Sequence, residues 1–170
     1  MSERRRVQRL LQVPELNIAI FAFLLNYPWE FLQVPFFAGM AEAPHWQAVL
    51  LCSRATVGDA GIAVAAFWAV AAGVRRRLWV VNPTTRQGLG FVVTGLVITV
   101  IFEWLGTEVW NRWQYAAMMP TIPVLGTGLL PVLQWTGLPP LVLWFVRRQL
   151  LGASLDGAEK ARLSERGVIT

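Results

Sequence analysis

The sequence predicts an all-α integral membrane bundle of four transmembrane helices, with both termini in the cytoplasm. Composition gives two reasons: 55% of the 170 residues are hydrophobic and only 15% are charged, where a soluble domain carries about 25% charged residues. The third reason is a set of four apolar stretches, each long enough to cross a bilayer. The length is that of one domain.

A spanning helix needs about 20 mostly apolar residues. The stretches that qualify are 16–37, 46–74, 88–115 and 121–146. They are separated by turn or charge signals such as Arg75–Arg77 and Met119-Pro120. We therefore expect residues 1–150 to form a single transmembrane domain. Residues 151–170, where the apolar pattern is lost, are expected to form a short cytoplasmic tail.

Each stretch has a feature that supports its assignment. The first contains Glu30 and is too long for the apolar core of a signal peptide, which predicts a retained helix. The second runs from Trp46 to the arginine run. The third carries an aromatic extension to Tyr115. The fourth contains Pro139 and Pro140, which should kink it and free carbonyl groups that need partners.

The basic residues predict the orientation. Of the 15 Lys and Arg residues, all but Arg54 and Arg112 lie in the tails or in the loop between the second and third stretches. These are Arg4, Arg5, Arg6, Arg9, Arg75, Arg76, Arg77, Arg86, Arg147, Arg148, Lys160, Arg162 and Arg166. The positive-inside rule places these segments in the cytoplasm, here of a bacterial inner membrane. The net charge of +5 therefore indicates orientation and contact with membrane lipids, and no nucleic-acid partner is expected.

Five ionisable residues lie within or near the ends of the apolar stretches: Glu30, Arg54, Asp59, Glu103 and Glu108. Each costs at least about 2.5–3.5 kcal/mol near the bilayer centre, so such groups usually face the bundle interior and are paired. Most of them should lie toward the outer face. Structural ion pairs are one prediction: Arg54 with Glu30 or Glu103, and Glu108 with Arg112.

Spacing predicts which polar groups share a helix face. Asn26 and Glu30 are four residues apart, and Gln33 follows three residues later. Cys52, Thr56 and Asp59 form a second stripe, and Gln134 is a polar candidate in the fourth stretch. Asp59 and Glu103 have no obvious local partner, which leaves structural and functional roles open. A buried, neutral carboxyl without a partner can act as a general acid.

Metal and cofactor chemistry is not expected. The chain has one His (His45) and one Cys (Cys52), too few for the common nitrogen and sulfur metal sites. Neither a dinucleotide fingerprint nor a P-loop occurs. Of the nine Trp residues, five suit the membrane interfaces: Trp46, Trp79, Trp110, Trp113 and Trp144. Trp29, Trp104 and Trp135 lie deeper, where they either pack or line a substrate pocket together with Asn26 and Gln134.

Two segments carry a resemblance to known families. Leu25-Asn26-Tyr27-Pro28-Trp29-Glu30-Phe31 resembles the Asn-x-x-Trp-Glu-Phe signature of integral-membrane terpene cyclases of the fungal meroterpenoid type. The segment from Glu103 to Pro140 is similar to small carotenoid-biosynthesis membrane proteins, including heterodimeric lycopene cyclases. The chain as a whole is more similar to a bacterial multi-pass membrane family of uncharacterised function.

The resemblance implies a metal-free acid mechanism. A carboxylic acid in the membrane protonates an olefin or epoxide of a prenyl substrate, and aromatic side chains shield the carbocation. Glu30 is the acid that the resemblance carries over, with Glu103 or Asp59 as the second carboxyl. Trp29, Trp104 and Trp135 would line the pocket.

Three hypotheses of function follow, and the sequence leaves open whether the chain is an enzyme. The first is an intramembrane acid catalyst that acts on an isoprenoid or other lipid as a cyclase or isomerase. The alternative is a non-catalytic accessory or scaffold subunit of a larger membrane complex. The third is a pathway for a small solute or for protons. A homo-oligomer is compatible with each, because polar residues could then face a shared interior.

Overall fold

A computed structural model describes residues 10–165, with side chains described through residue 155 and at residue 157. All regular secondary structure in this part of the chain is helical, apart from two isolated β-bridges in the loops. The N-terminal arginines of the orientation prediction (Arg4, Arg5, Arg6 and Arg9) lie outside the described residues. So do Arg166 and the side chains of Lys160 and Arg162.

Four long helices form the molecule. They are α1 (Pro14–Gln33), α2 (His45–Val74), α3 (Thr85–Trp104) and α4 (Leu129–Glu165). A 3-10 turn follows α1 at Val34–Phe36, a second one connects α2 to α3 at Arg77–Val81, and a single π-helical turn extends α3 over Leu105–Val109. Each helix packs against two others, in the cyclic order α1, α2, α3, α4.

Three segments are long and apolar enough to cross a membrane, which indicates membrane association. They are His45–Val74, Thr85–Val109 and Leu129–Leu155. Helix α1 has 20 residues, about 30 Å at 1.5 Å per residue, so its length also matches a bilayer core. It is less apolar than the other three because it contains polar residues such as Asn17 and Asn26. Their side chains are buried in the bundle.

The third helix is shorter than predicted. It ends at Trp104, and the π turn carries the chain only to Val109, so the predicted helical extension to Tyr115 is wrong. The backbone N–H of Trp110 donates to the carbonyl of Leu105 over 2.8 Å. Asn111 then adopts a left-handed conformation with φ of 48°, which an α-helix cannot contain.

The fourth helix is displaced along the chain. It begins at Leu129 instead of 121, because Pro120 and Pro123 break the preceding segment and Val124 and Gly126 have positive φ. It then continues to Glu165 through residues 151–165 of the predicted tail, for which the sequence also indicates partial helicity over residues 154–166. That extension contains three Ala, three Leu and two Glu residues, which are strong helix formers.

The apolar core closes the end of the bundle away from the α1–α2 connection. Trp79 is fully buried, so its predicted place in an interfacial belt is wrong. Its ring stacks on Phe67 with centroids 5.8 Å apart and lies 6.1 Å from that of Phe91. The indole Nε1 donates to the carbonyl of Phe67 over 3.3 Å. The loop between α2 and α3 is therefore anchored inside the bundle.

Candidate functional site

Polar side chains from three helices meet at the opposite end of the bundle. Helices α1 and α3 finish at this end and α2 and α4 start there, so residues far apart in sequence become neighbours. We call the central group the acid cluster, which consists of Asn26, Glu30, Asp59, Gln134 and Trp135. The end of the bundle that contains it is called the acid end.

Gln134 joins three helices through one amide group. Its Nε2 lies 2.7 Å from Oδ1 of Asn26, 3.2 Å from Oε1 of Glu30 and 3.0 Å from Oδ2 of Asp59. The amide has two hydrogens, so the three acceptors share two donors. Because the side chain is only 3% exposed, water cannot readily replace these bonds. Gln134 therefore fixes the positions of both carboxyls.

The carboxyls of Glu30 and Asp59 converge on the one amide nitrogen of Gln134, and each has a further donor. Gln33 donates to Oε1 of Glu30 over 2.7 Å, and Nε1 of Trp135 donates to Oδ1 of Asp59 over 3.4 Å. Two carboxylates that share one amide inside an apolar bundle repel each other strongly, because the low-dielectric interior screens little of their charge.

The predicted faces of α1 and α2 are confirmed. Asn26, Glu30 and Gln33 are all buried on one side of α1. Cys52 and Thr56 are buried on α2, and Asp59 lies half-buried one turn further on. These two stripes face each other at the acid end, which is why residues of both helices share the amide of Gln134.

Trp135 packs into a gap that only glycine leaves open. A Cβ atom added at Gly95 would lie 2.1 Å from Cζ3 of the Trp135 ring, so the ring rests directly on the backbone of α3. The side chain is 3% exposed. Trp135 therefore closes the bundle beside the acid cluster, where the sequence analysis had placed it in a substrate pocket.

Glu103 forms a second polar group at the same end. Its Oε2 accepts hydrogen bonds from the hydroxyl of Tyr115 and, over 3.4 Å, from Nε1 of Trp113. Burial and the neighbouring Glu103 carboxyl raise the pKa of Tyr115, so its hydroxyl remains a donor. Glu103 was a candidate from the sequence, whereas Tyr115 and Trp113 were not predicted as its hydrogen-bond partners.

The loops at the acid end are joined to each other. Phe37 and Tyr115 form an antiparallel β-bridge, the N–H of Ala38 donates to the carbonyl of Gln114, and that of Ala116 donates to the carbonyl of Phe36. Both hydrogen bonds measure 2.9 Å. We call these two segments, residues 36–38 and 113–116, the lid. The lid delivers Trp113 and Tyr115 to Glu103.

Two of the predicted aromatic residues lie outside the acid cluster. Trp104 is 53% exposed, so it faces away from the bundle interior. Trp29 is half-buried, and its buried Nε1 has no hydrogen-bond partner among the described residues. Of the three deep tryptophans, Trp135 belongs to the acid cluster, through its hydrogen bond to Asp59.

The predicted ion pair of Arg54 does not form. Arg54 is exposed, and within residues 10–155 the one ion pair joins Glu15 and Arg77 at the other end of the bundle. Arg54 lies two residues from Cys52, which is about 200° around the helix. Since Cys52 is buried in the bundle, the arginine points outward.

The predicted pair of Glu108 and Arg112 does not form either. The π turn and the left-handed Asn111 remove the one-turn helical spacing on which this prediction depended. The guanidinium of Arg112 lies instead over the ring of Trp110, 5.7 Å from its centroid.

Little empty space adjoins the acid cluster. A cavity of about 10 Å³ lies beside Asn26 and Trp135, which is room for about one water molecule. A larger apolar groove of about 280 Å³ runs along the surface between α1 and α2. Two buried acceptors at this end, Oε1 of Gln33 and Oγ1 of Thr127, have no hydrogen-bond partner in the described part of the chain.

Metal ligands do not come together in the residues that the structure describes, where no group of three His, Cys, Asp or Glu side chains is placed to hold an ion. Neither a protein-family model, nor a curated protein, nor a solved structure matches this chain. The chemistry of the acid cluster is therefore what indicates a function.

Proposed function

We propose that the chain is a metal-free acid catalyst that works inside the membrane on an isoprenoid or similar lipid. The observation that carries this proposal is the convergence of the Glu30 and Asp59 carboxyls on the buried amide of Gln134. A carboxyl pair that holds a proton among apolar helices is a source of acid where water is scarce.

The proposed topology places four crossings in a bacterial inner membrane, with both termini in the cytoplasm. Helix α1 is the fourth crossing, since its 20 residues match the bilayer core and it packs beside two of the apolar helices. The positive-inside rule supports the orientation, because Arg75, Arg76 and Arg77 lie between α2 and α3 and Arg86 lies in the first turn of α3. The acid cluster then faces the outer half of the bilayer.

The proposed reaction is an isomerisation or cyclisation that returns every proton. Glu30 gives its proton to an alkene carbon or to an epoxide oxygen of the substrate, and a carbocation forms. Loss of a proton from a neighbouring carbon to Asp59 or to Glu103 ends the reaction with a new double bond, and that proton then passes back to Glu30 before the next turnover. The bonds from Gln33 and Gln134 stabilise the carboxylate that remains on Glu30 meanwhile.

Substrate entry requires the bundle to open. A cavity of about 10 Å³ accepts a water molecule and excludes a prenyl chain. Trp135 or the lid must therefore move before an alkene can reach Glu30. Movement of a closing element is common in enzymes that exclude water from a reactive intermediate.

A second function is favoured by the same closed packing. An accessory subunit of a membrane complex needs a stable bundle and no pocket, and Gln134 acts as a tie between three helices whether or not catalysis occurs. In that case the carboxyls serve to fix the positions of the helices.

Lipid mass spectrometry separates the two functions. The host should be a bacterium that makes carotenoid and polyprenyl precursors, and it should express the wild type, Glu30→Gln, Asp59→Asn or Glu103→Gln. We expect the wild type to convert one prenyl species and Glu30→Gln to abolish the conversion, because the amide has no proton to donate. Glu42→Gln, which changes an exposed acid in the α1–α2 loop, is the matched control.

Folding is checked by thermal unfolding of each purified variant in the same detergent. An identical lipid profile in cells with wild type, with Glu30→Gln and with no protein would contradict the catalytic proposal and favour the accessory subunit.

A further inference from the structure

The end of the bundle opposite the acid cluster carries a concentration of positive charge. We call it the arginine end, and its basic residues are Arg75, Arg76, Arg77, Arg86, Arg147 and Arg148, all of them exposed. Among the described side chains, Glu15 is the one carboxylate here, and it pairs with Arg77 through two bonds of 2.7 Å. The other five arginines have no acidic partner in the described part of the chain.

Helix α4 presents a graded stripe toward this end. Leu141, Trp144 and Arg148 follow one another at spacings of three and four residues, so they share one face. Leu141 is 46% exposed and Trp144 is 49% exposed. The guanidinium of Arg148 lies over the Trp144 ring, 5.1 Å from its centroid. The side chains of the stripe therefore change from aliphatic to aromatic to cationic toward the arginine end. This order matches a lipid read from its acyl chain to its headgroup.

Arg147 is held next to the adjacent loop. Its Nε donates to the carbonyl of Val81 over 3.0 Å, and no other hydrogen bond of its side chain occurs within the described residues. The loop cannot easily shift, because Trp79 anchors it in the core. The terminal amino groups of Arg147 are thus free of hydrogen bonds within the described residues, and Arg148 follows it directly in the sequence.

We propose that an anionic phospholipid docks here, with its phosphate at Arg147 and Arg148 and an acyl chain along Trp144 and Leu141. Guanidinium groups bind phosphate oxygens in a planar, two-pronged geometry. Basic residues at a membrane surface also attract anionic lipids. The exposed apolar stripe assigns the phosphate to a lipid and not to a free anion. This site is independent of the acid cluster.

Binding of phosphatidylglycerol to the purified full-length protein in a neutral detergent tests the proposal. Native mass spectrometry measures the apparent affinity, with phosphatidylcholine as the zwitterionic comparison. We expect the double variant Arg147→Gln/Arg148→Gln to bind phosphatidylglycerol about thirtyfold more weakly, because each of the two basic residues contributes about fivefold near an anionic lipid. Phosphatidylcholine should bind weakly to every variant.

The control is Arg54→Gln/Arg112→Gln, which removes the same charge at the acid end and should bind like the wild type. Equal binding by the two double variants would overturn the proposal. So would full displacement of phosphatidylglycerol by equimolar inorganic phosphate, which would assign the site to a free anion. If the double variant does not fold, Arg148→Gln alone tests the exposed position, and unchanged affinity of that variant would equally overturn the site.

Discussion

The two ends of the bundle are stabilised in different ways. At the acid end, side chains of different helices bond to each other, as in the contact between Gln134 and Asn26, which are 108 positions apart. At the arginine end, an aromatic core fills the interior and the charged groups stay at the surface. The buried bond from Trp79 to Phe67 at this end spans only 12 positions, and the longer-range bonds of Arg77 to Glu15 and of Arg147 to Val81 are exposed.

The difference shows what a buried polar group requires. A carboxyl or amide in an apolar interior is costly unless it has a partner, and a partner on another helix fixes that helix in place. Surface arginines need no partner within the protein, because water and lipid headgroups can accept their hydrogen bonds. The acid end should therefore tolerate few substitutions, and the arginine end should tolerate many.

Gly95→Ala should have the largest effect on this comparison. The new Cβ would lie 2.1 Å from the Trp135 ring, so the ring or the helix must move, at a cost of about 3 kcal/mol or more. Thermal unfolding in detergent should show a strongly destabilised protein. Displacement of Trp135 should also change its intrinsic fluorescence.

The matched control for that change is Gly90→Ala on the same helix, nearer the arginine end. Its Cβ would meet Val70 at an ordinary 3.5 Å, and alanine favours a helix by up to about 1 kcal/mol over glycine. We expect Gly90→Ala to unfold at the wild-type temperature or above it. Equal destabilisation of both variants would show that α3 is packed equally tightly at both of its ends. That result would contradict the difference between the acid end and the arginine end.

Gln134→Leu should have the next largest effect. It removes the donor that Glu30, Asp59 and Asn26 share, and unsatisfied buried acceptors of this kind cost about 2–3 kcal/mol. Thr136→Ala is the control, because Thr136 is exposed on the same helix and such changes stay within about 0.5 kcal/mol. Chemical unfolding of both variants in detergent measures the difference. If Gln134→Leu is as stable as the control, the hydrogen bonds of Gln134 do not hold the three helices together.

Glu15→Gln should have the smallest effect, since the Glu15–Arg77 pair is partly exposed and surface pairs contribute little. Arg77 lowers the pKa of Glu15 below its ordinary value of 4.5. Stability from this pair is therefore fully present above pH 4.5 and is lost as the pH falls through the lowered pKa. The wild type and Glu15→Gln should differ slightly in unfolding temperature at neutral pH and converge in strong acid. A difference that grows on acidification would contradict this assignment.

Local signals predicted part of the fold well. Helix α2 was expected over 46–74 and is found at His45–Val74, because the arginine run and the left-handed Arg75 end it. The shared face of Asn26, Glu30 and Gln33 follows from helical spacing alone. The outward direction of Arg54 was also available from spacing, since the stripe of Cys52 and Thr56 leaves it on the opposite side.

Non-local packing determined what the sequence analysis missed. Tyr115 reaches Glu103 because the chain leaves α3 through a π turn and returns. That turn depends on the Trp113 ring resting against Gly106, where a Cβ would lie 2.0 Å away. The convergence of Asp59 with Gln134 likewise depends on which helices become neighbours, and helical periodicity contains no information about that choice.

The range of sequence separations at the two ends also has a consequence for biosynthesis. The α2–α3 hairpin, with its Trp79 anchor, can form as soon as the third helix has been made, because its contacts are local. Gln134 lies in the last helix, and the Phe37–Tyr115 bridge needs the segment between α3 and α4. The acid end is therefore completed only when α4 inserts. Until then, Glu30 and Asp59 lack their shared partner, so a ribosome stalled before α4 should leave a nascent chain that quality-control proteases recognise.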